Sequence, residues 1–515
     1  MKRVVYIVWF LLSVTGIAKA DDRFLIAIKR NYSPRPEKET VTIILDYNEV
    51  AKRLPGIRTS GLTAVNQNFG TPVEVRMVQV DQDPLHAKVV FEFTFTSSEP
   101  VYTIAFRKGI KKLSTVTKDV RSDARLDIIY LTPYADFVRQ GNSIGAWPDK
   151  IIGSTMKTYP DPSLLSINAP GAWNYEYGFF LNGTMERWEK TKRPEYLAYV
   201  KQWADRFIDD RGALDKNQYN VNEYRLDDIL PGRLFLTLYQ ITGEEKYKNA
   251  AASFENHLLH QPKTSEGGYW HKQIYPYQMW LDGIYMGDVF ATQYASVFNK
   301  PELFNESIHQ IKLIAQHNTD SKTGLLFHGW DESKNKIWAD QQTGTSHEFW
   351  GRGIGWYLMA LIDCLDYIPK EHPERKDVET LYRNLAETIV KHQDKKTELW
   401  FQVIDKGGVA GNWIETSCSA MFAYALAKGH TKGLVDRSYY DQAKRAFDSL
   451  LTQHVYFDKE GVLYLDQTVK VATLNPKVSA GDYTYYVGLE RRLNDYKGLA
   501  ALLYASMTMD TDTLH

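Results

Sequence analysis

The sequence predicts a mainly α-helical fold: a six-hairpin (α/α)6 toroid preceded by a smaller, sandwich-like all-β domain. Three observations predict it. A two-residue apolar period runs from Arg23 to about Tyr130. One helical spacing then recurs along the rest of the chain. Before each recurrence lies a second helical stretch that is apolar on more than one side, as a buried helix must be.

Taken in order, Lys2 and Arg3, the apolar run Val4–Ile17 and Ala18-Lys19-Ala20 read as a cleaved secretory signal over 1–20. The run is short for a membrane span, and no later stretch qualifies. The mature chain is therefore expected to be exported, periplasmic or secreted, with no membrane insertion after cleavage. Over 21–135, Phe91, Phe93 and Phe95 alternate with Glu92, Thr94 and Thr96, and Val73, Val75 and Met77 alternate with Glu74 and Arg76. Short alternating strands between Pro, Gly and Asn clusters suggest a β-sandwich with an accessory role. Residues 136–146 read as a linker, 147–508 as the barrel and 509–515 as a tail.

In the barrel, Tyr196, Val200, Trp203 and Phe207 lie at i, i+4, i+7, i+11. The same spacing starts again at Tyr247, Phe304, Val378 and Tyr439. These narrow stripes suit outer helices. Inner partners run near Trp173–Thr191, Asp228–Ile241, Gly283–Phe298, Gly351–Ile368 and Thr416–Lys428. Two stretches remain, Trp147–Lys157 and Asp495–Met507, and pairing them closes a ring of twelve helices. The rival is an open α-solenoid. Uneven repeat spacing, and aromatic insertions that all precede the inner helices, favour the toroid.

Composition narrows the function. A formal net charge of −1 over 515 residues argues against nucleic acid or an acidic membrane as partner. Aromatics form 13% of the chain, with 33 Tyr and 13 Trp, which suits sugar rings as well as a core. The only cysteines, Cys364 and Cys418, sit in helical apolar patterns and read as buried free thiols. No HExxH or CxxC occurs and the histidines are dispersed, so no metal is expected.

The segments entering the inner helices carry the unusual residues. GGYWHKQIYPYQMWLDGIYMGD, Gly267–Asp288, packs Asp282, His271 and Lys272 among aromatics. AWNYEYG brings Trp173, Tyr175 and Tyr177; YRLDDILPGR brings Asp227 and Asp228. LLFHGWDE brings His328, Trp330 and Asp331; HEFWGRGIGWY brings Trp350, Arg352 and Trp356; Trp413 and Glu415 follow. In a toroid these ends converge. Carboxylates shielded among aromatics suit proton transfer, and Arg352, Lys272 and the histidines suit an anionic substituent such as a uronate. Two readings stay open for Asp282, and for Asp227 or Asp228: helix N-cap or catalyst. Taken singly, His271 and His328 read more readily as satisfied core histidines than as ligands.

LDDILPGRLFLTLYQITG, SEGGYWHKQIYPYQMWLDGIYMGD, LLFHGWDES, WADQQTGTSHEFWGRGIGWYLMAL and NWIETSCSAMFAYALAKG, in that order, resemble the unsaturated rhamnogalacturonyl hydrolase family of glycoside hydrolases, related to the unsaturated glucuronyl hydrolases. The resemblance implies a six-hairpin α/α barrel and no cofactor. It implies removal of a 4,5-unsaturated uronic acid from oligosaccharides left by polysaccharide lyases, by hydration of the vinyl ether. By position it implies Asp282 as general acid and then base, and Asp227 as the second essential carboxylate. His271, Lys272, His328, Arg352 and Trp356 would line the sugar pocket; apart from the resemblance, Trp173 and Tyr177 of AWNYEYG are expected as further substrate contacts. The β-rich region lies outside the resemblance, and His347 departs from its pattern. Competing readings are an unsaturated glucuronyl hydrolase for ulvan, arabinogalactan or glycosaminoglycan fragments, a two-carboxylate glycosidase, and a non-catalytic helical repeat that binds sugar.

Overall fold

The computed structural model describes residues 23–31, 35–54, 62–78, 88–96, 99, 101–108, 115–116, 123–165, 172–475, 477 and 479–509. The expected signal segment lies outside them, as does all of the expected tail except Met509. The chain divides into two compact units. One holds most of the residues up to Ile128; the other holds Ile129 onward together with Gln67–Phe69 and Glu99–Tyr102.

The first unit is built of strands. One set runs in the order Arg23–Arg30, Val101–Lys108, Leu62–Asn66, Thr71–Val73; the other runs Glu39–Asp46, Lys88–Phe95, Arg76–Val78, Thr115–Val116. Glu39–Asp46 and Lys88–Phe95 pair antiparallel with Val41 opposite Phe93 and Ile43 opposite Phe91, so the alternating apolar residues share one buried face. Phe91 meets Phe106 edge-on at 5.7 Å and so links the two sets. The region is not all-β. Asp46 accepts from the backbone N–H groups of Asn48 and Glu49 and starts the helix Tyr47–Arg53. The run through Val73, Val75 and Met77 is also broken, into Thr71–Val73 and Arg76–Val78.

The second unit is mainly helical. The outer helices Pro194–Ala204, Glu245–Leu259, Pro301–Asn318, Arg375–Lys391 and Arg437–His454 each bury one stripe. The helix Gly351–Cys364, by contrast, is buried at every position. Tyr175–Thr191 packs on Arg233–Thr242, which packs on Val289–Phe298, which packs on Gly351–Cys364. That helix packs on Thr416–Thr431, which packs on Tyr496–Met509, and the last returns to Tyr175–Thr191 and to Trp147–Thr158. Contacts are close. A Cβ on Gly429 would run into the Tyr382 ring, whose hydroxyl donates to the Ala425 carbonyl at 2.8 Å. Among the described residues no helix is long and apolar enough to cross a membrane, and Cys364 and Cys418 are buried and free.

Three expectations need correction. Residues given to a linker form part of the helix Tyr134–Arg139. The helix expected from Asp228 begins only at Arg233, because Pro231 lacks an N–H and the chain first makes two short 3-10 turns. The helix expected from Gly283 is a short turn Leu281–Gly283, then a π turn Ile284–Asp288, then Val289–Phe298. Such turns often mark functional positions in helices.

The π turn buries Asp288 with Ser307 beside it, and neither of its carboxylate oxygens makes a well-aligned hydrogen bond. Burial pushes its carboxyl well above the usual range. A carboxyl raised in the folded state lends its full stability below the unfolded value, about 3.9, and loses it as pH rises. The loss runs at about 1.4 kcal/mol per pH unit until the folded group ionises. Asp288→Asn is therefore expected to raise the urea midpoint at pH 8 and to match the parent near pH 4. Parallel pH profiles of the two proteins would contradict this.

Candidate active site

The strand Gln278–Trp280 pairs antiparallel with Gly329–Asp331. The pairing continues one step further, with the Leu281 N–H donating to the His328 carbonyl at 3.0 Å. Trp280 is still extended, and the helical turn starts at Leu281. Asp282 thus lies inside the first turn and makes no capping bond. Its Oδ2 sits 3.2 Å from His328 Nε2, and its side chain keeps 15% exposure. Oδ2 is fully enclosed, so the exposure belongs to the rest of the group, Oδ1 included. A Cβ on Gly353 would lie 3.4 Å from the His328 ring and 3.7 Å from Asp282 Oδ2, so this glycine lets the next inner helix close over the pair.

Asp227 forms a second centre. Its short turn carries no side-chain cap either, so the capping reading fails for Asp227 and Asp228 as well. The Leu226 N–H donates to the His271 carbonyl at 3.1 Å, and the His271 N–H to the Gln278 carbonyl at 2.8 Å. These bonds bring Lys272 Nζ to 2.6 Å and His271 Nε2 to 3.5 Å from the Asp227 carboxylate. Burial opposes ionisation there, but the Lys272 ammonium holds the Asp227 carboxyl down at about 2. Burial also lowers His271, to about 4, so its imidazole is neutral at pH 7. Next along the chain, burial pushes Asp228 up to about 6 against the pull of Arg225. Adjacent aspartates thus differ by environment alone.

Trp280 joins the two centres. Its ring stacks on His271 at 4.4 Å and on Tyr275 at 4.9 Å, and reaches His328 at 5.6 Å. His271 lies within the electrostatic reach of both Asp227 and Asp282. Beneath them, Gln261 Nε2 donates to the carbonyls of Tyr224 at 3.0 Å and Trp270 at 2.6 Å, while its Oε1 is 3.0 Å from His257 Nε2. This amide ties together the two loops that carry Asp227 and Lys272. A cavity of about 310 Å³ opens beside Asp227 and Lys272; Tyr175, Tyr177, Arg225, Lys470 and Arg492 also line it.

Asp227, Lys272 and Tyr177 therefore share the cavity, while Asp282 and His328 lie outside its lining and connect to Asp227 through His271 and Trp280. Three expected contacts do not present themselves to a ligand. Trp173 is packed against Trp203 at 5.5 Å, Phe254 at 5.5 Å and Phe235 at 6.0 Å, and its Nε1 donates to the Asp228 carbonyl at 2.8 Å. It props the Asp227–Asp228 turn from behind. Trp356 lies one turn inside a wholly buried helix, against Phe179 at 4.7 Å and Tyr285 at 4.9 Å. Arg352 lies over the Trp350 ring at 5.1 Å and donates to the carbonyls of Val469 and Lys470, the latter at 3.0 Å. Its donors shape the 469–470 backbone, which offers Lys470 to the cavity.

Other residues singled out in the sequence are structural. Glu415 caps Thr416–Thr431 and accepts from the Val469 N–H at 2.9 Å. Asp331 holds its own turn through Ser333 and Asn335. Trp330 stacks on His317 at 3.7 Å, and His347 is exposed. Sequence reasoning missed Tyr486, Arg225, Lys470 and Arg492, and gave Trp280 no role of its own. Tyr486 stands in GDYTYYVG, where dense aromatics without a helical period are the only signal. Among the described residues no group of three or more His, Cys, Asp or Glu is placed to hold a metal ion.

Comparison with known proteins identifies the family. Residues 147–512 match Glycosyl Hydrolase Family 88. The chain is 26% identical over 261 residues to the unsaturated rhamnogalacturonyl hydrolase YesR of Bacillus subtilis, covering 50% of this chain and 70% of that protein. A Clostridium (C. acetobutylicum) glycoside hydrolase from family 105 is 35% identical, with TM-score 0.68, over 71% of this chain and 99% of that one. An unsaturated glucuronyl hydrolase of Bacillus sp. GL1 shares the fold at 13% identity and TM-score 0.54, over 70% of this chain and 95% of that one. The chain belongs to Glycosyl Hydrolase Family 88 and is a glycoside hydrolase.

Proposed function

We propose that this enzyme removes a 4,5-unsaturated uronic acid from the non-reducing end of lyase-generated oligosaccharides of the rhamnogalacturonan type. The reading includes a closed six-hairpin toroid as scaffold and export of the mature chain. One observation carries it: Asp282 turns Oδ1 outward and Oδ2 against His328, beside a carboxylate fixed in its charged form. Such a pair of centres fits one proton donor and one acceptor of ring hydroxyls.

In this reading Asp282 delivers its proton to C4 of the vinyl ether. Positive charge grows at C5 and is shared by the ring oxygen. The Asp282 carboxylate then takes a proton from a water molecule, whose oxygen bonds to C5. The hemiketal opens, C1 releases the neighbouring sugar, and Asp282 is again protonated. One water is consumed. Asp227 accepts from the ring hydroxyls, with Lys272 keeping it ionised. His271 and Trp280 close one wall; Arg225, Lys470 and Arg492 stand at the cavity paired with Glu223 and Asp228, with Glu99 and Glu490, and with Glu99 and Asp495, and in this reading share those donors with the uronate.

The test uses defined unsaturated disaccharides, followed by loss of the ultraviolet absorbance of the conjugated double bond. The unsaturated uronate linked to rhamnose is expected to turn over at least about tenfold faster than the same unsaturated uronate in the linkages and on the neighbouring sugars of glucuronate-containing polymers, a difference of about 1.4 kcal/mol in the transition state. Preference for the linkage and neighbouring sugar of a glucuronate-containing polymer would move the enzyme to the other specificity. Turnover of saturated glycosides instead would overturn the reaction itself.

A further inference from the structure

Tyr486 belongs to the short helix Tyr483–Val487, far in sequence from the motifs of the site. It is completely buried, and its hydroxyl lies 2.8 Å from His328 Nδ1. The other nitrogen of that ring, Nε2, is the atom that faces Asp282 Oδ2 at 3.2 Å. The His328 ring thus meets Tyr486 through one nitrogen and approaches Asp282 through the other. Nothing in a merely well-packed core requires a phenol aimed at an imidazole that is aimed at a carboxyl.

The backbone holds these groups in place. Gln402 Nε2 donates to the Tyr486 carbonyl at 3.0 Å, and Trp350 Nε1 donates to Gln402 Oε1 at 3.3 Å. Trp350 in turn packs on the His328 ring at 4.5 Å. Trp413 Nε1 donates to the Val487 carbonyl at 3.2 Å. Burial pushes the Tyr486 phenol well above its ordinary range, so it keeps its proton at any working pH.

A neutral imidazole carries one proton, and the partner of one nitrogen decides where it sits. With the phenol donating to Nδ1, the proton stays on Nε2. His328 then carries its N–H on the nitrogen that lies 3.2 Å from Asp282 Oδ2; the two atoms are not aligned as a hydrogen bond here, and the N–H acts on Asp282 through its charge at that distance. The transferable proton is left on Oδ1, the outward oxygen. The opposite tautomer would turn a bare Nε2 lone pair toward Oδ2, draw the Asp282 proton inward and repel the carboxylate formed on proton donation.

We propose that Tyr486 is a positioning residue that fixes the Nε2–H tautomer of His328 and thereby keeps the Asp282 proton on the oxygen that faces the substrate. The proposal rests on the reading of Asp282 as proton donor. The titratable groups around these three are His271, which feels both Asp282 and His328, and Tyr485 and Glu348 beside Tyr486.

The direct test is nitrogen NMR of the enzyme labelled in its histidine rings. In the parent enzyme His328 is expected to carry its proton on Nε2, with Nδ1 bare; a proton on Nδ1 overturns the proposal without any variant. In Tyr486→Phe the ring packing is kept and the donor is lost. The expected results are a shift of the His328 signals toward the Nδ1–H form and a fall in kcat of about tenfold or more, with KM within threefold. The alkaline limb of the kcat–pH profile is expected to move to higher pH, because a bare nitrogen lone pair replaces the N–H that faces the Asp282 carboxylate. Unchanged kcat and an unmoved limb overturn the proposal, and so does a lowered thermal midpoint with the limb in place. Failure of the underlying reading shows separately: an active Asp282→Asn enzyme removes the donor role, while the NMR signals still report the tautomer.

Discussion

Asp282→Asn is expected to lower kcat at least about a thousandfold, with the far-ultraviolet circular dichroism and thermal midpoint of the parent retained. The amide keeps the shape of the carboxyl and can still face His328 Nε2, but it neither gives a proton to C4 nor takes one from water. General acid or base catalysis contributes about 10²–10⁴-fold for one transfer, and Asp282 serves two transfers in turn. The fold should survive because Asp282 makes no capping bond and the turn Leu281–Gly283 is held by the Leu281–His328 backbone bond. A large loss of helicity in the variant would return Asp282 to a structural role. Activity near that of the parent would place the proton donor elsewhere.

The second large effect is expected at Lys272. Asp227 is buried, and Lys272 Nζ, 2.6 Å away, is its closest cation. With Lys272→Met the desolvated carboxylate loses that cation, a change that costs about 3 kcal/mol or more in buried pairs. The pH dependence should invert. In the parent, a carboxyl held at about 2 lends stability that is present above the unfolded value of about 3.9 and lost as pH falls toward 2. In the variant burial dominates, the carboxyl rises, and stability is lost as pH rises above about 4. Urea midpoints between pH 3 and pH 8 measure this directly. Adding Asp227→Asn should recover most of the stability, since removing both partners of a buried pair costs far less than removing one. Activity should stay at least about a hundredfold down in both variants, because the ionised hydroxyl acceptor is gone. Full activity in Lys272→Met would show that Asp227 needs no fixed charge.

The sequence made some of this legible. Periodicity gave the outer helices, whose single stripes must face a core, and the runs that are apolar all round gave the inner ones. Residue type and position brought Asp282, Asp227, His271 and Lys272 together, since each ends a segment entering an inner helix. Burial of tryptophans was not legible. Trp173 and Trp356 carry the same side chain as a sugar-stacking residue, and only the surrounding Phe and Tyr rings reveal that both faces are covered. Arg352 reads as a ligand for an anion until two carbonyls from residues 469 and 470 are found to occupy its donors, more than a hundred positions away. Tyr486 was hidden for the same reason: its meaning comes from His328, a contact that no local pattern encodes. The π turn after Asp282 was also missed, because Met286, Phe290 and Tyr294 keep a helical spacing through it.

The most direct test of the account is where hydrogen goes. A single turnover of an unsaturated disaccharide in deuterated water, quenched early and read by NMR, should show one deuteron newly bound at C4 of the released sugar and no remaining double bond. A released sugar that keeps its C4–C5 double bond and carries no deuterium at C4 would mean displacement at the anomeric carbon. Asp282 would then not be the proton donor to a vinyl ether.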